Sequence, residues 1–342
     1  MIPKQVHFVG SVGLDSVKQV FQTLGSEFGT RLRRVPDGEP GGRRAWIGWQ
    51  QIVLRLNPFL SFDPESQSAT MHTRLLVLAE GVKPGEVKFS ELGYAHEARA
   101  SYQLFLEARK AGMIPKGVRF QVSLPAPSAV ISAFIAPQDF LAVEKPYEKA
   151  MLREAEEICR AIPHKDLCIQ WDICQEMLTW DGQIKAFKLP YKNQKAAILA
   201  RLKRLCQSIP DKVELGLHLC YGDFNGRHFV EPRDMTKLVE VANALSRRVA
   251  RPIGYFHMPV PIDRHDDGYF RPLDDLALQP NTELYLGLVH ADGTKNVKAR
   301  IAAAAKYVPS FGIATECGIA HARKPSVVKK LIKAHTAVLQ EP

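Results

Sequence analysis

The sequence lacks the long apolar segments that membrane proteins carry. No uninterrupted apolar run approaches the roughly 18–20 residues that a membrane helix requires. The segment MIPKQVHFVGSVG at the start has no long apolar core and no clear cleavage site, so it predicts a first strand rather than a signal peptide. Low-complexity tracts, coiled-coil heptads and short repeats are also missing. With 46% hydrophobic and 24% charged residues, the composition predicts a globular, cytoplasmic protein with no membrane partner.

Cysteine and basic residues are present, but without the patterns of a disulfide scaffold or a nucleic-acid-binding protein. Six cysteines in 342 residues, with no secretory signal, indicate free thiols in a reducing compartment. The 46 Lys and Arg exceed the 36 Asp and Glu, which gives a net charge of +10. These basic residues are spread along the chain, and no DNA- or RNA-binding signature accompanies them. We therefore expect no nucleic-acid partner, and the charge fits an anionic small substrate or a solvated basic surface.

Apolar, β-rich segments alternate along the chain with segments of helical periodicity. The predicted strands are 5–12, 32–37, 118–125, 166–173, 213–220, 252–260, 283–290 and 311–317. The predicted helices are 14–27, 92–112, 147–161, 190–207, 233–248, 295–306 and 325–338. Because each helical crossover returns the chain in the same direction, the strands pair in parallel, and eight such units close into a (β/α)₈ TIM barrel. An open doubly wound sheet is the alternative, but no GxGxxG follows any strand.

We expect residues 1–342 to form a single α/β barrel domain. Two segments, 56–90 and 124–146, are longer than ordinary connections, and we predict that they carry extra helices or loops over the C-terminal mouth. Polar residues follow most of the apolar strand bodies, namely Asp37, Glu39, Asp172, His218, Cys220, His257, His290, Asp292, Glu316 and Cys317. Because the carboxyl ends of barrel strands meet on one face, these residues predict an active site there.

Two of these strand ends carry side chains that suit a metal ion. In an extended strand, residues i and i+2 point the same way, so His218 and Cys220 present an imidazole and a thiol side by side. Cys317 ends a different strand and adds a third donor, and zinc favours such nitrogen and sulfur ligands. A catalytic zinc keeps one position open, but a fourth protein ligand could come from His257, which we favour, or from the competing Glu316.

Segment 36–46 is a second candidate for function. It combines Asp37 and Glu39 with glycines that let the backbone approach a ligand, and Arg43 follows with a planar fork for carboxylate or phosphate. These features predict substrate anchoring. The alternative is a loop held by an internal network of ion pairs.

Two later strands add further candidates. The polar segment 257–271 follows a strand at the predicted mouth, which makes Arg264 a candidate substrate-binding residue. His290 ends the next strand, and it is the best candidate for the acid that protonates a leaving group.

Several strings resemble motifs of cobalamin-independent methionine synthase. HLCYGDF at 218–224 is similar to that family's zinc segment, H-x-C-Y, and ATECGIAHAR at 314–323 is similar to its later D-C-G-x-x-x-R segment. Other pieces occur in the same order: Phe8-Val9-Gly10-Ser11 resembles I-G-S, Leu124-Pro125-Ala126-Pro127-Ser128 resembles T-G-P, and Gln170-Trp171-Asp172 resembles Q-I-D-E-P. The resemblance covers most of the chain. It implies one barrel of the methionine synthase/uroporphyrinogen decarboxylase superfamily, equivalent to the family's C-terminal catalytic half.

The resemblance implies that His218, Cys220 and Cys317 bind Zn²⁺. It also implies that Asp172 holds the amino group of homocysteine and takes part in catalysis, and that Ser11 contacts substrate. The sequence departs from the family at two places. His257 stands at the strand end where the family has a glutamate ligand, and Ile173-Cys174 replaces Glu-Pro after Asp172.

These observations predict a zinc-dependent transferase that activates a substrate thiol as a thiolate for methyl or alkyl transfer. The resemblance implies homocysteine as the default acceptor and a methylated folate as the default donor, and a homo-oligomer stays open. Thiolate attack on an epoxide is one alternative. A metal-free lyase that resembles uroporphyrinogen decarboxylase, with Arg43 and Arg44 on a polycarboxylate, is the second. An inactive barrel with four protein ligands around zinc is the third.

Overall fold

The computed structural model describes residues 3–68, 71, 73–223, 227–321 and 323–339, so Phe224 and Ala322 of the two zinc-segment strings lie outside the described residues. The strands are β1 (Arg34–Pro36), β2 (Leu60–Gln67), β3 (Arg74–Leu78), β4 (Arg119–Pro125), β5 (Leu167–Ile173), β6 (Glu214–Leu219), β7 (Tyr255–Pro259), β8 (Glu283–Gly287) and β9 (Gly312–Ile313). The α-helices are α1 (Val17–Phe28), α2 (Gln50–Arg55), α3 (Tyr94–Lys110), α4 (Pro127–Phe134), α5 (Phe140–Ala161), α6 (Gln175–Asp181), α7 (Gln194–Gln207), α8 (Thr236–Arg248), α9 (Asp267–Phe270), α10 (Thr294–Ala304) and α11 (Pro325–Leu339).

Seven strands form one parallel sheet, in the order β1-β4-β5-β6-β7-β8-β9. Val6 bridges in parallel to Leu32, beside β1, and to Ile313 in β9, so the segment around Val6 joins the two edges of the sheet. The Val6 N–H donates to the Arg31 carbonyl at 3.1 Å, and the His7 N–H donates to the Ile313 carbonyl at 2.9 Å. The sheet therefore curls into a TIM-like α/β barrel, which confirms the fold class that the alternation of strands and helices predicts.

Most predicted elements lie within a few residues of the observed ones, and the differences fall at element ends. The predicted first strand, 5–12, makes isolated bridges instead of a continuous ladder. The predicted strand 311–317 is a strand only at Gly312–Ile313, so Cys317 lies in the loop that follows β9. Helix α5 begins at Phe140 and contains Pro146, whereas the sequence predicts a start at 147. Proline is usual in the first turn of a helix and rare inside one, which explains the misplaced start.

The two long connections fold differently from each other. Segment 124–146 contains the predicted extra helix, α4. Segment 56–90 instead contains an antiparallel hairpin of β2 and β3, in which Leu60 lies opposite Leu78, and a single 3₁₀ turn at Pro84–Glu86. The hairpin contacts the end of α4, because the Ala136 N–H donates to the Leu76 carbonyl at 2.8 Å.

The end of the barrel where the strands begin is closed by a buried ion-pair cluster. Arg34 of β1 pairs with Glu214 of β6 at 2.5 Å and with Glu283 of β8 at 2.8 Å. Its guanidinium also lies 4.1 Å from the ring centre of Tyr255 in β7. This cluster joins three strands and leaves the opposite end of the barrel for a site. No helix within the described ranges is long and apolar enough to cross a membrane.

Candidate metal centre

His218, Cys220 and Cys317 meet at the carboxyl ends of the strands. His218 lies in β6, Cys220 follows directly after β6, and Cys317 comes from the loop after β9. The His218 Nε2 atom lies 3.6 Å from the Cys317 Sγ, and the two sulfur atoms of Cys317 and Cys220 are 3.7 Å apart. The three donor atoms all lie within 4.8 Å of one another, and no other such group of three occurs among the residues that the structure describes. One nitrogen and two sulfur donors form a set that suits zinc.

His257 lies behind His218 and determines the orientation of the His218 ring. The His257 Nε2 atom is 3.0 Å from the Thr315 carbonyl oxygen, which can only accept, so this nitrogen carries the proton. The His257 Nδ1 atom is then an acceptor, and it lies 2.7 Å from the His218 Nδ1. His218 therefore donates from Nδ1, which leaves the Nε2 lone pair free on the side of the two thiols. Such an outer hydrogen bond orients a histidine ligand toward its metal.

Burial keeps both histidines neutral, which is the form that binds metals. Burial is the largest cause that lowers the pKa of His257, to about 3. The pKa of His218 lies well below its usual value, because of burial and then the nearby His257. Both ring nitrogens of His257 already have partners, so the structure places this predicted fourth ligand in a supporting position.

The thiols of Cys220 and Cys317 are protonated unless a cation lies beside them. The pKa of Cys220 lies well above its usual value, because of its hydrogen bond with the Cys174 thiol and then burial. The pKa of Cys317 is raised in the same way by its hydrogen bond with Cys220 and by burial. A divalent ion at this position would favour the thiolates, because metal coordination deprotonates a thiol.

A cavity of about 200 Å³ opens beside the metal-binding cluster. Its wall includes six of the predicted site residues, namely Ser11, Glu39, Asp172, His218, Cys220 and Cys317. The rest of the wall is largely apolar and includes Trp46, Phe187 and Phe229. The rings of Phe187 and Phe229 are 5.6 Å apart. The cavity thus combines a metal-binding group, the carboxyl groups of Glu39, Asp172 and Asp223, and an aromatic surface.

Two of the carboxyl groups in the cavity wall, Asp172 and Glu39, lie in different surroundings. Asp172 accepts hydrogen bonds from the Gln170 amide at 2.7 Å and from the Trp46 indole at 3.3 Å. Burial nevertheless raises the pKa of Asp172 to about 7. Burial, and then the charges of Asp172 and Asp37, raise the pKa of Glu39 to about 8. At neutral pH, Glu39 is therefore mostly protonated in the free protein and can donate a proton.

Segment 36–46 is divided between the cavity and an internal ion-pair network. The Asp37 carboxylate accepts from the Ser101 hydroxyl at 2.7 Å and pairs with Arg43 at 2.8 Å. Arg43 also pairs with Glu97 at 3.1 Å, and neither Asp37 nor Arg43 lines the cavity beside the metal-binding cluster. For these two residues, the geometry matches the alternative of an internal network.

Trp46 reaches the cavity through an unusual backbone conformation. It has φ 52° and ψ −107°, in a kink within the 3₁₀ stretch Gly41–Trp49. A positive φ is strained for a bulky residue, at a cost of about 1–3 kcal/mol, and such strain concentrates at functional sites. The conformation brings the indole N–H to Asp172, so the kink contributes directly to the wall of the cavity.

His290, Glu316 and Arg264 lie away from the cavity wall. The His290 Nε2 atom is 2.9 Å from the Val260 carbonyl, and the Nδ1 atom is 3.9 Å from Glu316. Burial lowers the pKa of His290 to about 4, so the ring is neutral at pH 7. Glu316 faces His290 and Arg323, and its carboxylate is not part of the metal-binding cluster. Arg264 pairs with Asp266 at 2.8 Å on the surface, beside the start of α9.

Comparison with known proteins identifies the fold. No protein-family profile matches the chain, and no curated protein matches it in sequence. A B12-independent methionine synthase from Shewanella sp. W3-18-1, solved in complex with selenomethionine, superposes with a TM-score of 0.62 at 14% identity, over 99% of this chain and 98% of that chain. The chain has the fold of this methionine synthase. A Listeria monocytogenes protein, provisionally described as a vitamin-B12-independent methionine synthase, has a TM-score of 0.58 at 14% identity, over 99% of this chain and 97% of that chain.

Within this methionine synthase fold, Cys174 and Trp46 are cavity residues that were not singled out from the sequence as site residues. Cys174 lines the cavity, and a signal for it existed, because it follows Asp172 with the same i, i+2 spacing as His218 and Cys220. Trp46 had the spacing of a packed helical residue, and nothing in that spacing indicates the kink that turns it toward Asp172.

Proposed function

We propose that the chain is a zinc-dependent enzyme that transfers a methyl or other alkyl group to a substrate thiol. The observation that carries this proposal is the placement of His218, Cys220 and Cys317 in the wall of a cavity, on a methionine synthase fold. Homocysteine as acceptor and a methylated folate as donor are the default substrates to test. In this proposal the enzyme works on small molecules and is cytoplasmic.

The residues fit a zinc ion that keeps one position for substrate. His218, Cys220 and Cys317 would hold the ion, and the ion would keep the acceptor sulfur as a reactive thiolate at neutral pH. His257 orients His218 through the Nδ1–Nδ1 hydrogen bond. The protein's own task is then to place the acceptor sulfur and the methyl carbon next to each other in the cavity.

In this proposal, carboxyl groups of the cavity wall bind the acceptor and donate the proton. Asp172, held in place by Gln170 and Trp46, binds the ammonium group of the acceptor and becomes fully ionised beside that charge. Ser11, also in the wall, contacts the same substrate. Glu39 donates a proton to the leaving group, because it lines the cavity and its pKa of about 8 keeps it protonated. We prefer Glu39 to His290 as the acid, because His290 is neutral and does not line the cavity.

The alternative of a metal-free lyase has less support. It relies on Arg43 as an anchor for a polycarboxylate, and Arg43 is occupied by Asp37 and Glu97. Arg44 does line the cavity, but one of its nitrogens donates to the Leu14 carbonyl at 2.7 Å. The epoxide reaction uses the same metal centre, so an assay with candidate electrophiles separates it from methyl transfer.

Elemental analysis of the purified protein tests the metal directly. We expect about one zinc per chain, in line with the one cluster of three ligands found among the residues that the structure describes. His218→Ala and Cys317→Ser should lose the metal while circular dichroism shows that they remain folded. Cys159→Ser, a buried cysteine of α5, is the matched control and should keep it. A wild-type protein that takes up no added zinc would overturn the proposal.

The reaction is tested by incubating the zinc-loaded protein with homocysteine and methylated folate and measuring methionine. Formation of methionine that requires both Cys317 and Glu39 would support the assigned roles. If zinc is bound and no thiol among a panel is methylated, the metal centre stands and the methyl-transfer assignment fails.

A further inference from the structure

A third cysteine, Cys174, adjoins the metal-binding cluster. Strands β5 and β6 pair in parallel with Ile173 opposite Leu219, and the Cys220 N–H donates to the Ile173 carbonyl at 2.9 Å. This pairing places Cys174 beside Cys220 at the ends of two neighbouring strands. Both side chains are buried, both line the cavity, and the neighbouring Cys174 thiol is the largest cause that raises the pKa of Cys220.

The cluster needs a fourth ligand, and the residues first considered for that position face elsewhere. Structural zinc sites have four protein ligands, whereas catalytic sites have three and keep the fourth position for water or substrate, so a fourth side chain here must be one that substrate can displace. His257 uses both of its ring nitrogens for His218 and Thr315. Glu316 faces Arg323 on one side, at 3.4 Å, and lies outside the group of three ligands.

Two carboxylates in the cavity wall, Asp172 and Asp223, also have partners of their own. The two oxygens of Asp172 accept from Gln170 and Trp46. Asp223 is paired with Arg323. Cys174 and Cys220 directly follow the paired residues Ile173 and Leu219, and both line the cavity. A thiol is also a ligand type that zinc prefers over a carboxylate in a sulfur-rich site.

We propose that Cys174 is the fourth ligand of the metal in the substrate-free enzyme, and that the acceptor thiol displaces it. This inference rests on the proposed function for the identity of the acceptor, but its first part concerns the resting metal site alone. The Cys174 sulfur lies outside the group whose donor atoms are within 4.8 Å of one another, so its side chain must turn to bind. A cysteine needs rotation about only one bond, χ1, to change the direction of its sulfur.

The exchange balances in protons and charge. The incoming acceptor arrives as a thiol and gives its proton to the Cys174 sulfur, which leaves as a thiol. One thiolate replaces another, so the net charge of the site is unchanged and no outside base is needed. Cys174 thus keeps the fourth position filled until an acceptor arrives, and it returns to that position after the methylated product leaves.

Zinc X-ray absorption measurements on the zinc-loaded protein test the first part. We expect three sulfur atoms and one nitrogen around zinc in the wild type, and two sulfur atoms in Cys174→Ser. Cys159→Ser, which removes a buried cysteine of α5, should still show three. Competition with a chelator should show zinc held about tenfold or more weaker in Cys174→Ser, because a ligand is lost. A wild-type site with two sulfur atoms, unchanged in Cys174→Ser, overturns the proposal.

The displacement is tested by adding homocysteine as the probe thiol. The wild type should keep three sulfur atoms, because one leaves as one enters, whereas Cys174→Ser should rise from two to three. A rise from three to four in the wild type would overturn displacement. These readouts do not depend on turnover. A resting site with three sulfur atoms in a protein that methylates no thiol would refute the proposed function and leave the assignment of Cys174 as a ligand intact.

Discussion

Single hydrogen bonds decide what the metal-binding residues can do, and His257 is the clearest case. It accepts from His218 and donates to the Thr315 carbonyl, so it sets the tautomer that leaves the His218 Nε2 free. We expect His257→Ala to weaken zinc binding by about 10–100-fold, the range measured when partners of metal ligands are removed. Chelator competition measures this affinity. His335→Gln changes another buried histidine, in α11, and should leave it unaltered. Equal affinities in wild type and His257→Ala would show that His218 needs no such partner.

The pKa of Glu39 leads to a prediction about pH. Glu39 is protonated below about pH 8 and loses its proton above it, because burial and the charges of Asp172 and Asp37 raise its pKa. If Glu39 donates the proton, kcat/KM of the wild type falls as the pH rises through about 8, because kcat/KM reports the pKa values of the free enzyme. Glu39→Gln should lower kcat by about 100-fold or more and remove this dependence. Glu80→Gln, an exposed position, should keep the wild-type profile. A Glu39→Gln profile that still falls near pH 8 would assign the proton to another group.

At the scale of residues, the sequence was informative where the spacing of side chains along one strand decides their direction. His218 and Cys220 follow the alternation of β6, and their place beside Cys317 was expected from the barrel. The supporting position of His257 could not be predicted. It depends on two contacts of the His257 ring: one nitrogen contacts the His218 ring on the neighbouring strand, and the other contacts the Thr315 carbonyl in the loop after β9. The spacing of residues within one segment does not predict such contacts.

At the scale of elements, the pairing of β6 with β7 positions both histidines of the metal centre. Gly216 of β6 lies opposite Tyr255 of β7, two residues before His218 and His257. A Cβ atom at Gly216 would come within 1.9 Å of the Tyr255 ring, which is fully buried. We expect Gly216→Ala to lower the free energy of unfolding by about 1–3 kcal/mol, as overpacked core positions do. Urea denaturation measures the loss.

The matched control for Gly216→Ala is Gly42→Ala. A Cβ atom at Gly42 would meet nothing within 4 Å, so the free energy of unfolding of Gly42→Ala should equal that of the wild type. Because the clash at Gly216 separates the strands that carry His218 and His257, zinc affinity should fall together with stability. If Gly216→Ala and the wild type have the same midpoint of urea denaturation, then β6 and β7 can move apart without loss of stability.

The elements themselves were predicted well where one periodicity runs through a whole segment. Helices such as α3 and α11, and strands such as β5, differ from their predicted ranges by a few residues at most. The hairpin of β2 and β3 was missed because most residues of β2 are exposed, so that strand shows little apolar pattern. The short β9 shows the opposite case: apolar residues continue to Ala314, but the paired residues of β8 and β9 end at Leu286 and Ile313.

At the scale of the whole molecule, the barrel brings together residues that are distant in the chain. Cys220 and Cys317 are separated by 97 positions, and their strands by β7 and β8. That the carboxyl ends of the strands converge follows from the fold class alone, which is why the sequence could predict the cluster. The division of residues 1–342 into one domain stays a prediction. What the fold class could not supply is the content of the cavity, because Trp46 and Cys174 reach it through local backbone geometry.

The same convergence predicts that zinc stabilises the whole barrel. His218 and Cys220 follow β6, whereas Cys317 follows β9, which is bridged to Val6 at the closure of the sheet. An ion bound by all three residues binds the native fold alone, because unfolding separates them. At a free zinc concentration 100 times the Kd, such binding stabilises by about 2.7 kcal/mol. For a chain of this size we expect Tm to rise by about 5 °C, measured by thermal unfolding with and without a chelator. Cys317→Ser, which lacks the link to the closing strand, should show almost no rise. An equal rise in that variant would mean that zinc binds elsewhere and that the cluster is not the metal centre.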